Sequence, residues 1–394
     1  MIGGRALAPM MCFDDVPVQY NIGRESPGAS WPQFYRQYGA RQLRQWRPVC
    51  IRPDITKPIK EEIIEDCVFL GALDNHFGHI VAEAVPRALP SITSGSHHTM
   101  LITTRKGMPN TEPSPVFKSV MSWIGLPFDK VRFVNAPVIA RKLWVAPQAE
   151  HLEGAPPPEE YLDVLDRLAE TRGVKSKPDG VVYVSRAKLP AKLGGFAGEK
   201  YLVDILSQLG VAVFYPEDEP LQRQMTIYAN AKRLVFAEGS AVHGRQLLGR
   251  IHQDIDILQR RLGSQIAAAQ IAPRSSRLGY VPASFGSIAF LNQKMRPWPH
   301  SMVSLFDLHV MFDYFRQIGI PLRSAWDSNA YHLSRDQYVV EWLAAIYSRG
   351  VEHWLKPHNP PEYILEQLEV RGLGHLCAQA ATIIANSGEG GRSQ

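Results

Sequence analysis

His79 and Glu83 stand four residues apart in the segment NHFGHIVAEAVPRAL (75–89). Phe77, Ile80, Val81, Ala84 and Val85 recur there at helical spacing. The spacing predicts a helix that puts the imidazole and the carboxylate on one face. Such a pair suits proton abstraction: the carboxylate orients and charges the imidazole, or takes the proton itself. A surface His–Glu pair on any helix has the same spacing. His76 adds a third group, but the order is not HExxH and no further ligand stands near, which argues against zinc. Pro86 is expected to break or kink the helix.

A second set of groups lies at 181–244. VVYVSRAK (181–188) places Ser185-Arg186 where a strand ends, with Lys188 and Lys192 following. An arginine can hold a diphosphate with two parallel hydrogen bonds, and a lysine adds a point charge. The loop from Ala187 to Lys200 carries Gly194, Gly195 and Gly198 among its lysines. It reads either as a mobile anion-binding lid or as an exposed basic loop. Glu238-Gly239-Ser240 follows the strand RLVFA, where small residues let the backbone approach a ligand and a following helix offers its first amides to phosphate. Glu238 is placed to bind sugar or ribose hydroxyls. His243 is a phosphate donor or, on its own merits, a packing residue. Glu217, in the acidic turn after VAVFY, is a solvated residue or a nucleoside contact. Asp254-Ile255-Asp256 matches a metal-holding DxD, but its setting in DIDIL reads as an alternating strand.

These groups require α/β elements. Strand, loop, helix, strand, turn, helix, strand in succession predicts a parallel sheet with helices on its faces, and ligands beyond the carboxyl ends of its strands. The first half reads likewise: strands at 67–73, 99–104, 131–135 and 142–147, helices at 75–89 and 116–126. Residues 1–60 read as strands and loops. EGAPPPEE (153–160) reads as a linker ahead of a helix, and the second unit runs to about 260. From 300 onward the pattern is helical, and GEGGRSQ is expected to form a disordered tail. The 394 residues predict two domains, and a net charge of +5 suits an anionic small molecule or membrane surface without basic runs for nucleic acid. The four cysteines, Cys12, Cys50, Cys67 and Cys377, lack metal or redox spacing. A poor signal peptide and the lack of a long apolar run predict a cytoplasmic protein, with peripheral membrane attachment left open.

The chain resembles glycosyltransferase family 61, including its bacterial capsular-polysaccharide transferases. FGHIVAEAVPRAL (77–89) is similar to the family's aromatic-x-His-x-x-x-Glu-x-x-Pro-Arg block through His79, Glu83, Pro86 and Arg87. Ser185-Arg186, Glu199, Leu209-Gly210, Pro216-Glu217, Gln224, Ala231 and the Gly239-Ser240 turn ending in His243 carry the second signature. Glu238 stands where the family usually has His, and Gly198 where it usually has Asn. The resemblance implies a GT-B architecture, two Rossmann-like domains facing across a cleft with C-terminal helices packing back on the first. The corresponding boundaries are 1–160 for the acceptor domain, 161–295 for the nucleotide-sugar domain and 296–394 for the helices. It also implies inverting, metal-independent transfer from a nucleotide sugar, a co-substrate rather than a cofactor, to a glycan or lipid-linked acceptor in surface polysaccharide synthesis. Glu83 or His79 would be the base. Ser185, Arg186, Lys188, Glu217, Glu238, Gly239, Ser240 and His243 would bind the donor. A non-catalytic nucleotide- or carbohydrate-binding protein and a nucleotide-sugar epimerase are the alternatives.

Overall fold

The computed structural model describes residues 6–7, 34–38, 45–49, 61–73, 75–93, 98–103, 113–134, 138–145, 149–150, 156–349, 351–352 and 355–388. Cys12, Cys50, most of 1–60, the start of the 153–160 linker and the tail 389–394 lie outside the described residues.

In chain order the first strands are β1 (Ala6–Leu7), β2 (Phe34–Tyr38), β3 (Gln45–Val49), β4 (Glu61–Ala72), β5 (Thr99–Thr103), β6 (Val131–Val134) and β7 (Val138–Val145). β2 and β3 pair with each other, and the rest form one sheet in the order β1-β7-β4-β5-β6. β1 is antiparallel to β7, and the other pairs are parallel. Helix α1 (77–93) follows β4, and α2 (Pro115–Trp123) follows β5. Pro86 does not break α1. The turn Ile80–Ala84 is π-helical, and an α-helical run, Val85–Thr93, continues past it. A proline ring crowds the carbonyl four residues back and leaves it without a donor; widening the turn ahead of Pro86 accommodates both.

Helix α3 (Glu159–Thr171) leads into β8 (Asp179–Val184), β9 (Gly195–Ala197), α4 (Glu199–Gln208), β10 (Ala212–Phe214), α5 (Leu221–Asn230), β11 (Ala231–Ala237), β12 (Asp254–Leu258) and β13 (Arg277–Val281). Five of these strands make an all-parallel sheet in the order β10-β8-β11-β12-β13. It extends one strand beyond the 260 limit read from the sequence. Its strands are apolar on both faces, as parallel sheets covered by helices require. Leu234 and Phe236 join one core with Leu70, Ile80, Phe117 and Leu162 from the first half of the chain. Val235 and Ala237 join a second core with Phe306 and Phe315.

β14 (Ser284–Ile288) and β15 (Val303–Phe306) complete a three-stranded sheet, β14-β15-β9. After α6 (Leu308–Gln317), helices α7 (Ser328–Ile346), α8 (Pro361–Val370) and α9 (Cys377–Gly388) cover that small sheet. Their shared core holds Ala197, Ile288, Val303 and Leu305, and among the described residues none from the first sheet. The expectation that they pack back on the first half is therefore corrected. The hairpin after β13 captures β9 and creates an apolar face, and that face is what the helices bury.

Behind the second sheet, Arg274 donates to Glu150 at 2.9 and 3.1 Å, and the two side chains are 0% and 1% exposed. This pair ties the chain leaving the first sheet to the segment entering β13. Replacing Arg274 with Met leaves a buried carboxylate without its guanidinium and is expected to cost about 3–5 kcal/mol in urea unfolding. Adding Glu150→Gln should recover part of that loss. A cost for Arg274→Met of under about 1 kcal/mol would contradict the role given to the pair.

Candidate active site

The order of the second sheet fixes where a ligand can sit. From β8 the chain steps outward to β10, then crosses back to β11 on the other side, so the connections leaving β8 and β11 diverge. A crevice opens at such a reversal, beyond the carboxyl ends of the strands. Ser185-Arg186 leaves β8 there, and Glu238-Gly239-Ser240 leaves β11.

Arg186 crosses in front of Gly239. A Cβ at Gly239 would lie 2.1 Å from Arg186 Nη1 and 2.9 Å from its Cζ, so only glycine lets the guanidinium lie against the backbone here. The arginine's root is held by Glu199 at the start of α4. The buried Glu199 carboxylate accepts from Ser185 Oγ at 2.8 Å, Arg186 N at 2.8 Å and Tyr183 Oη at 3.1 Å. Burial pushes the Glu199 carboxyl above its usual range, and these three donors with the Arg186 charge pull the other way. Ser185, 1% exposed, is thus a bracket for the loop, with its Oγ also accepting from Ala187 N.

The loop expected to be a mobile lid is half strand. Gly195, Phe196 and Ala197 are buried in β9, paired with β15, and Phe196 stacks on Phe306 at 4.2 Å between ring centroids. Burying that aromatic outweighs the freedom the glycines would give. Lys192 pairs with Glu352 at 2.6 Å. Lys188 pairs with Asp218 and lies over the Tyr215 ring at 4.1 Å, on the exposed rim. Glu217 is half-buried beside it. Burial is the main cause that raises its pKa, with Asp218 adding to the rise and Arg186 opposing it.

Glu238 is fully buried. It accepts from Arg260 N at 2.7 Å, Arg261 N at 2.8 Å and Arg261 Nε at 2.9 Å. These donors occupy both oxygens, so Glu238 braces the turn after β12 instead of reaching for a sugar or ribose. Ser240 opens the short helical turn Ala241–Gly244 without capping it by its side chain. Asp254 and Asp256, the DxD match, are paired with Arg233 and Arg277 at the opposite, amino ends of the strands.

The two signature segments meet. The His243 ring packs on α1 where it starts: a Cβ at Gly78 would stand 3.0 Å from His243 Cδ2, and one at Gly244 would stand 3.4 Å from Phe77. One turn along, His79 Nδ1 and Glu83 Oε1 are 2.6 Å apart, with the side chains 45% and 15% exposed. The His76 ring stands edge-on to His79 at 5.3 Å. The π turn carrying Glu83 keeps the (i, i+4) pair in hydrogen-bond contact. His243 itself is 6% exposed, with Nδ1 3.2 Å from Gln246 Oε1. Burial first, then the neighbouring His79, His76 and Arg261, depress its pKa to about 4 against the lift from Gln246.

Three residues here escaped the sequence reading. Arg260 and Arg261 directly follow β12, so the strand-end rule that found Arg186 would have found them too. His300 reaches the same place from the segment before β15. Burial lowers its pKa, and its charged neighbours Arg261, His76, Arg260 and His79 do the same. Among the described residues no group of three or more His, Cys, Asp or Glu side chains is arranged to hold a metal ion.

A model of the family described as Glycosyltransferase 61 matches residues 77–245. The match begins at the Phe77 that packs on Gly244 and ends one residue beyond it, so it spans both signatures and their contact. It supports a glycosyltransferase. The curated proteins contain no match. Among solved structures, the dodecameric iron-containing heptosyltransferase TibC in complex with ADP-D-beta-D-heptose is 13% identical, over 77% of this chain and 84% of that one, with a TM-score of 0.27. TibC from enterotoxigenic E. coli H10407, described as a bacterial iron-containing dodecameric glycosyltransferase, gives the same identity and TM-score over 77% and 86%. At that level of overlap neither carries an argument about this chain.

His243 makes a pH prediction. It is neutral when folded and binds a proton more readily when unfolded, so its contribution to stability is present above about pH 6.5 and lost as pH falls toward about 4. The slope from this group is at most about 1.4 kcal/mol per pH unit. Unfolding midpoints measured from pH 7 to 4 should fall less steeply in His243→Gln than in the parent. Parallel curves would show that His243 is not buried neutral.

Proposed function

We propose that the chain transfers a sugar from a nucleoside-diphosphate donor to a hydroxyl of a glycan or lipid-linked acceptor, with inversion and without a metal. The observation that carries this reading is the contact of Gly78 with His243. It brings the start of the helix that carries the His79–Glu83 pair against the turn that follows β11.

Arg186 would hold the donor's diphosphate at the crevice between β8 and β11, over Gly239 and with the amides around Ser240. Lys188 at the rim would add charge, and Glu217 would meet the nucleoside. The first sheet and its helices would present the acceptor, in a two-lobed GT-B arrangement. Glu83, oriented by His79, would take the proton from the acceptor hydroxyl, or His79 would do so with Glu83 balancing its charge. The acceptor oxygen then bonds to the anomeric carbon as the carbon–oxygen bond to the phosphate breaks. The electron pair leaves with the nucleoside diphosphate. Its growing negative charge meets a guanidinium already in place, which lowers the barrier without reorganisation. One displacement with one base inverts the anomeric centre. Surface polysaccharide assembly at the cytoplasmic face of a membrane is the setting we assign to this chemistry.

Two measurements separate base from grip. Glu83→Gln should lower turnover about 10²–10⁴-fold while leaving nucleoside-diphosphate affinity near the parent value. Arg186→Ala should weaken that affinity and leave the unfolding midpoint little changed. If both Glu83→Gln and His79→Ala turn over at near-native rates, the base is elsewhere.

A further inference from the structure

The chain buries several arginines, and one of them is poorly satisfied. Arg245, fully buried, donates to Gln253, to the carbonyls of Leu248 and Gly249, and to that of Arg274. Arg274 has Glu150. Arg260 is 3% exposed, yet its side chain makes one bond, Nη1 to Met302 O at 2.6 Å, and its buried Nε meets no acceptor. Among the described residues, the carboxylate that acts on it is Glu238, which takes the Arg260 backbone amide and gives its oxygens otherwise to Arg261. Burial is the first cause disfavouring the Arg260 charge, and the neighbouring guanidiniums of Arg186 and Arg261 come next.

Arg186 repeats the pattern. Its Nη2 donates to Gly194 O at 3.3 Å, and its buried Nε also lacks an acceptor. The two guanidiniums are drawn to adjoining carbonyls, because a Cβ at Gly194 would stand 2.3 Å from Met302 O, the acceptor of Arg260. Two like charges are therefore held together at the ends of β8 and β12, each with a buried N–H unused. A buried cation without its own counter-ion is costly unless an anion joins it.

Resting on the transferase reading above, we propose that Arg260 is the second guanidinium of the donor-phosphate subsite, and that Arg186 and Arg260 together select a diphosphate over a single phosphate. Glu238 acts as a positioning residue: it fixes the backbone of Arg260 and neutralises Arg261.

The test uses the full chain with inorganic pyrophosphate and orthophosphate as probes, by calorimetry at two salt concentrations. The parent should bind pyrophosphate roughly tenfold or more tighter than orthophosphate. Arg260→Met should lose that preference, with a shallower salt dependence, and Arg260→Lys should keep most of it. The unfolding midpoint of ligand-free Arg260→Met should equal or exceed the parent's, because a poorly satisfied buried charge is gone. An arginine that merely props Met302 would do the opposite: a lower midpoint with unchanged pyrophosphate binding, and that result overturns the proposal. Equal binding of both anions by the parent overturns it too. The transferase reading fails separately: sugar transfer from nucleoside-diphosphate sugars alongside unchanged pyrophosphate binding by Arg260→Met sinks only the subsite. Intact pyrophosphate selectivity without transfer to any acceptor sinks only the transferase.

Discussion

The site depends on the passage of the Arg186 guanidinium across the bare backbone of Gly239. A parallel sheet whose strand order reverses leaves a crevice, but a crevice alone holds nothing. Glu199 fixes the loop from behind through Ser185, Tyr183 and the Arg186 amide, and the missing side chain at Gly239 leaves the front open. The arginine can then lie over the strand ends with part of its hydrogen-bonding capacity unclaimed. Any side chain at 239 would displace it.

The second dependence is steric and joins the halves of the chain. The bare Cα of Gly78 lets the start of α1 lie close against the His243 ring, where a Cβ would be tight at 3.0 Å, and Phe77 returns the contact against Gly244. Below these contacts the first core is continuous from α1 and α2 into β11 and β12. The His79–Glu83 pair therefore sits on a helix held by packing on both sides, with its polar ends at the surface of the join.

Much of this was legible in the sequence, for a physical reason. β8, β11 and β12 are buried on both faces, so VVYV, RLVFA and IDIL are short apolar runs with turn residues at each end. Their strand-end groups could be named at once. The His79–Glu83 pairing followed from helical periodicity. What escaped was non-local or half-exposed. β13 and β14 mix glycine, serine and half-exposed positions and make no clean pattern, and β15, though buried, is four residues long with a serine in it. β9 looked like a flexible loop because its partner β15 lies far along the chain. Pro86 signalled a break that a π turn absorbs. Glu238 looked like a ligand because its true partners, the amides and side chain at 260–261, come together only when β12 pairs with β11.

A crystal of the protein grown with a nucleoside diphosphate tests the central claim most directly. The account predicts diphosphate density at the carboxyl ends of β8 and β11, within hydrogen-bond reach of Arg186 and facing the His79–Glu83 pair. Density for the diphosphate at any other surface, with Arg186 still resting on Gly194 and making no contact to it, would contradict the account.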